Sequence, residues 1–204
     1  MKDFPSERRK NPFMLLDKAN QDDIKMQSWL EFSTGIIKKD KRKRRMVMLR
    51  PYFDKLEMTW STLFAARGIR FSHDNVADVV MQVFEIDLDS IFYNLFSNSI
   101  EAFIRSREDR DRQIEVSVTV VNNNIICIYK DTGSGLSPDI VNPEMIFQPL
   151  FTTKRNISTG EETGTGLGMW LVKLIAEDNG GRITLLKLSH GFGIQFIFPT
   201  KNRR

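Results

Sequence analysis

The polar and apolar positions change rhythm several times along the chain, and each change marks an element. Residues 1–19 are polar and charged with two prolines, which predicts a frayed lead-in. From about Asp22 to Arg67 the spacing is helical. "DDIKMQSWLEFSTGII" is loose, whereas "PYFDKLEMTWSTLFAARG" carries Phe53, Leu56, Trp60, Leu63 and Phe64 on one stripe. Pro51 suits a first helical turn there and Gly68 a stop. After Gly68, "IRFSH" and "VVMQVFE" read as short strands. A helix is expected from about Leu88 to Arg105, capped by Asp87 or Asp89. "QIEVSVTVV" alternates cleanly, "NNN" turns the chain, and "IICIYKD" returns as a more buried strand, so the pair predicts a hairpin. A glycine-rich, irregular stretch fills 132–163. A helix over about Gly166–Glu177 follows, then the strands "RITLLKL" and "GIQFIFP". Strands with helices gathered rather than strictly alternating predict an α+β fold, one sheet covered on one face by helices.

Composition narrows the class. The 204 residues are 41% hydrophobic and 27% charged, enough for one soluble domain with an appendage. The lone cysteine, Cys127, lies inside an apolar run and reads as a buried small hydrophobe. No apolar run nears the roughly 20 residues that cross a bilayer, and "MKDFPSERRK" has no apolar signal core behind it. A cytoplasmic location is expected, with a longer, membrane-anchored parent left open. The net charge of +4 is uneven, for "KKDKRKRR" (38–45) holds seven basic side chains in eight positions. A solvated helix or linker is the favoured reading. A nucleic-acid patch is disfavoured, because no aromatic residues interleave the run.

Four stretches carry candidate chemistry. In "YNLFSNSIEAF" Asn94 and Asn98 sit four apart, which stacks two carboxamides on one helical face beside an apolar stripe. A carboxamide oxygen is a hard neutral ligand suited to Mg²⁺ held also by phosphate oxygens, and Asn98 is the candidate. Glu101 supports it through water or is a plain surface residue. In "KDTGSGL" Asp131 ends a buried strand before Gly133 and Gly135. Glycines there let a planar ligand approach the backbone, and the carboxylate can accept from an exocyclic amine such as adenine's. Alone, the motif reads first as an ordinary Asp-Thr-Gly turn. "GTGLGMWLV" brings Gly164, Gly166 and Gly168 into an apolar helix, whose free N–H groups and dipole suit a phosphate chain. The spacing is neither a Rossmann fingerprint nor a P-loop. In "IFQPLFTTKRN", Phe147, Leu150 and Phe151 anchor a polar loop over 152–163, shaped as a lid, and Lys154 or Arg155 can reach phosphates.

"NLFSNSIEAF", "DTGSGL", "IFQPLFTTK" and "GTGLGMWLVKLIAEDNGG" stand in the order of the N box, first glycine box, F box and second glycine box of the GHKL ATPases. The wording most resembles sensor histidine kinases, over about 69–199. The resemblance implies a Bergerat-type two-layer α/β sandwich with ATP between helices and sheet. It implies that Asn98 binds Mg²⁺, Asp131 reads adenine, Gly133 and Gly135 shape the base pocket, and Gly164, Gly166 and Gly168 border the phosphates. Phe147, Lys154, Arg155, Thr165 and Leu167 join them as nucleotide-contacting positions. Asn94, Asn98 and Lys154 are the catalytic candidates.

Two departures sharpen this. GHKL hydrolases carry a glutamate base four residues before the metal-binding asparagine, and here that position is Asn94. A carboxamide takes no proton from water at neutral pH, so transfer to another nucleophile is favoured over hydrolysis. Histidine kinases also phosphorylate a histidine on a helical hairpin, but this chain has only His73 and His190, on a strand and in a hairpin turn. The expected acceptor therefore lies upstream or on a partner, with a response regulator downstream. Residues 1–67 are expected to be a remnant of that hairpin and its linker, with homodimer pairing left open, and 68–204 the ATP-binding domain. The alternatives are a GHKL ATPase that couples ATP to conformational work, or a non-catalytic scaffold with a nucleic-acid-binding basic segment.

Overall fold

The computed structural model describes residues 44–106, 111–138, 140–153 and 164–200. The elements are β1 (Arg45–Met48), α1 (Leu49–Ala66), β2 (Ile69–Ser72), β3 (Val80–Val83), α2 (Glu85–Arg105), β4 (Arg112–Val121), β5 (Asn124–Asp131), α3 (Gly168–Asp178), β6 (Arg182–Leu185) and β7 (Phe192–Pro199). A 3-10 turn, Pro143–Phe147, stands between β5 and α3.

Five strands form one sheet in the order β2-β4-β5-β7-β6, with β2 parallel to β4 and every other pair antiparallel. Alternation decides which face is dry. Ile114, Val116 and Val118 of β4, Ile125, Cys127 and Tyr129 of β5, and Ile194, Phe196 and Phe198 of β7 are all buried, while their neighbours, Gly193 aside, are not. The three helices cover that face, which makes the two-layer α+β sandwich that the pattern predicts. The β4–β5 connection is a two-residue turn, Asn122 and Asn123, both at positive φ (48° and 59°), as a type I′ turn requires. Cys127 is buried in this core, and burial pushes its thiol up to about 12, so it stays a protonated hydrophobe.

Phe96 of α2 is the centre of the helical layer. Its ring lies 5.1 Å from Trp60 and 5.2 Å from both Phe64 and Phe71, and 6.1 Å from Phe92 and Tyr129. Phe96→Ala is therefore expected to cost about 3–5 kcal/mol of unfolding free energy, measured by urea titration.

Several local expectations are corrected. Residues 45–48, at the end of the basic run, form a strand, because β1 pairs antiparallel with β3 in a separate two-stranded ribbon. Leu63 of the α1 stripe faces water, whereas Tyr52 is buried in its stead. α2 begins at Glu85 with Phe84 as its N-cap and no side-chain cap bond. Asp87 and Asp89 lie inside it and tie helices together: Asp87 accepts from Asn179 Nδ2 at 2.9 Å and Asp89 from the Tyr52 hydroxyl at 3.2 Å. Tertiary partners won over capping. α3 starts two residues later than predicted, at Gly168, and β6 stops at Leu185. The helical expectation for 22–43 falls outside the described residues. The expected division after residue 67 falls between α1 and β2, which pack on each other through Phe64 and Phe71.

Candidate functional site

A cleft of about 600 Å³ opens between α2, the C-terminal end of β5 and the N-terminus of α3. Helical periodicity alone places one wall, since Asn94, Asn98, Glu101 and Arg105 recur at spacings of three and four along α2 and all face it. Asp131 and Gly135 close one end. Gly164, Thr165, Gly166 and Gly168 border the other, with Thr152 and Thr153 beside them. Sequence reasoning missed the apolar lining, Ile140, Ile146, Met169 and Phe192, which arrives from segments far apart in the chain.

Asp131 is buried, and desolvation raises its carboxyl above the ordinary value. Hydrogen bonds from Ser99 and from the backbone N–H groups of Gly133 and Phe192, with the charge of His190, pull it part of the way back. Glycines make this corner possible. At Gly135, where φ is +69°, an added Cβ would sit 2.7 Å from the Gly191 carbonyl oxygen. The turn between β6 and β7 and the loop after β5 therefore close on each other, and only glycine fits between.

At the far end, α3 has Leu167 as its N-cap with no side-chain cap bond and no acidic residue in its first turn. Its first N–H groups point out of the helix, toward the cleft end that Gly168 lines, which is chemistry for an anion. Asn94 faces that end. Its Nδ2 donates to the Ser90 carbonyl oxygen at 2.8 Å, and its Oδ1 lies 2.8 Å from where a Cβ on Gly168 would sit.

Not every candidate lines the cleft. Gly133 sits behind Asp131, donating its N–H to Oδ1 at 2.8 Å. Phe147 is buried under α3, where the Lys173 ammonium lies 5.6 Å from its ring centre. Leu167 is the cap of α3 rather than a wall residue. Lys154 and Arg155 lie outside the described residues. His73 follows β2, with its ring against Phe53 and Phe71 and its Nε2 3.1 Å from Glu57 Oε2, while His190 is exposed in the β6–β7 turn. Neither stands on a helix. No group of three or more His, Cys, Asp or Glu converges on a metal position among the described residues, nor is any helix there long and apolar enough to cross a membrane.

The model of the family described as histidine kinase-, DNA gyrase B- and HSP90-like ATPases matches residues 84–202. The chain belongs to this ATPase family. The match spans the whole cleft, from α2 to β7. This ATPase-family chain is 34% identical over 133 residues to the sensor protein FixL of Bradyrhizobium diazoefficiens, an alignment covering 64% of the chain and 24% of FixL. It therefore spans about a quarter of that relative's length. Among solved structures, the catalytic domain of histidine kinase ThkA superposes with a TM-score of 0.61 at 22% identity, covering 78% of this chain and 96% of that domain. The ThkA complex with the response regulator TrrA gives 0.61 at 19% identity, covering 98% of this chain and 53% of ThkA. These likenesses establish the fold.

Proposed function

We propose that the chain binds Mg-ATP in this cleft and is the ATP-binding catalytic part of a protein-histidine kinase. One observation carries the reading: a buried carboxylate and a helix N-terminus face the two ends of a single cleft. The first suits an exocyclic amine and the second a phosphate chain. In this reading Asp131 takes the adenine amine, with Gly133 shaping its turn and Gly135 leaving room for the ring. Gly164, Thr165, Gly166 and Gly168 border the phosphates, and Lys154 or Arg155, which precede them in the chain, would supply a positive charge to them.

The metal fits the donor set. With no cage of acidic residues among the described residues, Mg²⁺ would be held by the Asn98 carboxamide oxygen together with phosphate oxygens and water, and Glu101 stands one turn along the same face. Bound there, it would neutralise phosphate charge. The residues then work mainly by positioning, as phosphoryl transfer requires. Asn94 supports transfer over hydrolysis, because an amide beside the phosphate end gives water no base.

The γ-phosphoryl would go to a histidine outside this chain, on a hairpin upstream or on a partner, and from there to a response regulator. FixL is a sensor protein, and ThkA is seen bound to such a regulator, which supports that assignment. Residues 1–67 would link the domain to the acceptor hairpin and pair with a second copy, on the cytoplasmic side if the parent is anchored.

Calorimetry of the chain with ATP, with and without Mg²⁺, tests the reading. Asn98→Ala should remove the gain in affinity that Mg²⁺ brings, about tenfold or more, and leave metal-free binding nearly unchanged. Robust ATP turnover by the isolated chain, with no acceptor present, would overturn the transfer assignment.

A further inference from the structure

Asp131 does not stand alone at the end of the cleft. Its Oδ1 accepts from Gly133 N–H at 2.8 Å and from Phe192 N–H at 3.4 Å. Its Oδ2 accepts from Ser99 Oγ at 2.5 Å, and that oxygen lies 2.7 Å from the Tyr129 hydroxyl. Ser99 has one proton to give. Directed at the carboxylate, it leaves a lone pair for the Tyr129 hydroxyl to donate into, so the chain runs Tyr129 to Ser99 to Asp131. Both hydroxyls are fully shielded, at 0% and 1% exposure, inside the apolar layer between α2 and the sheet. A carboxylate has about four lone-pair positions. Three are filled by these donors, which leaves one acceptor position, on Oδ2.

We infer that Ser99 and Tyr129 are positioning residues that hold Asp131 as a single-acceptor reader and so favour a base with an exocyclic amine over one with an oxo group. The inference deepens the nucleotide reading above and rests on it. Its chemistry is simple. Burial drives Asp131 toward its protonated form, which would offer the base a hydrogen where it needs an acceptor. Donors aimed at the carboxylate oppose this. Ser99 from α2, the two backbone N–H groups and His190 from the β6–β7 turn act in that direction. Tyr129, on the same strand, stays neutral, since burial and the Asp131 charge both raise it well above an ordinary phenol. It can only donate through Ser99.

Titrations of ATP and ITP from mildly acidic to mildly alkaline pH, with Ser99→Ala, Tyr129→Phe, the double variant and Asp131→Asn, decide the matter. Ser99→Ala should weaken ATP about tenfold at neutral pH, the scale of one hydrogen bond to a charged group. It should also move the acid-side loss of affinity to higher pH and narrow the preference for ATP over ITP. Alone, it strands the buried Tyr129 hydroxyl and lowers stability. The double variant removes both partners and should recover stability, yet keep the shifted pH profile and the narrowed preference. A double variant with wild-type affinity, profile and preference would overturn the inference, since Ser99 would then serve only to satisfy Tyr129. Should wild type and Asp131→Asn bind ATP alike at every pH, the nucleotide reading fails first and takes the inference with it.

Discussion

Asp131→Asn is expected to lower ATP affinity about a hundredfold or more while the fold survives. The substitution keeps shape and volume. The Asn carboxamide oxygen can replace Oδ1 as acceptor for the Gly133 N–H, which turns its NH₂ toward Ser99 and the cleft. Ser99 can accept that donor and turn its own proton to the Tyr129 oxygen, so the change displaces one hydroxyl proton, that of Tyr129. The ligand is in a different position. Where Oδ2 offered a lone pair, the variant presents N–H, and an exocyclic amine meets a donor facing its own donor. Stability should not follow affinity down. Burial raises the Asp131 carboxyl in the folded chain, so the group favours the folded state fully below its unfolded value and loses that contribution as pH rises through the raised folded value. The ionised Asp131 is thus a cost at neutral pH, which offsets the displaced Tyr129 proton, and the Asn variant without ligand should stay close to wild type there. Its thermal midpoint should depend less on pH in the acidic range. Calorimetric titration with ATP and thermal unfolding across that range check both halves, and a variant that loses stability and affinity together would argue for a structural role alone.

How far the chain discloses this site depends on the range over which each feature is encoded. The N-box pair, the Asp-Thr-Gly corner and the glycine run are local patterns, and a spacing of three or four on a helix already says that Asn94 and Asn98 share a face. The structure brings both to one cleft with Asp131, Gly135, Gly164, Thr165, Gly166 and Gly168. What the pattern hid is pairing at long range. Nothing near residue 45 announces a partner strand at 80–83, nor does Asp87 reveal that its carboxylate is taken by Asn179, 92 residues away. Phe147 belongs to the right stretch, but its ring supports α3 instead of the cleft. Ser99 is the instructive miss. Leu95, Ser99 and Phe103 fall on one buried stripe, and a hydroxyl in such a stripe has to find a partner. That was legible as a question, and only the sheet supplied Tyr129 and Asp131 as its answer.

Gly166→Ala should be the most disruptive single-methyl change in the glycine run. At Gly166 φ is +67°, and an added Cβ would lie 2.4 Å from the carbonyl carbon of Leu150 and 2.7 Å from its Cα and oxygen. All three are backbone atoms, so no side-chain rotation relieves the overlap. Leu150 is itself held at positive φ (64°) after the 3-10 turn, so its backbone already sits in a conformation that side chains rarely adopt. A left-handed alanine costs about 1–2 kcal/mol and forced overpacking about 1–3 kcal/mol more, so a loss of roughly 2–5 kcal/mol is expected. The segment carrying Phe151 and Thr152, both in the cleft wall, must move away from Gly166, and nucleotide affinity should fall with stability. Gly168→Ala is the contrast that isolates the cause. There the nearest atom is the far end of a side chain, Asn94 Oδ1, at 2.8 Å, and the residue opens α3, where alanine is the better helix former. It should leave stability close to wild type and affect only the phosphate end of the cleft. Urea unfolding and ATP titration of the two variants side by side measure this, and equal stability losses would show that the close contact with Leu150 is not what demands glycine at position 166.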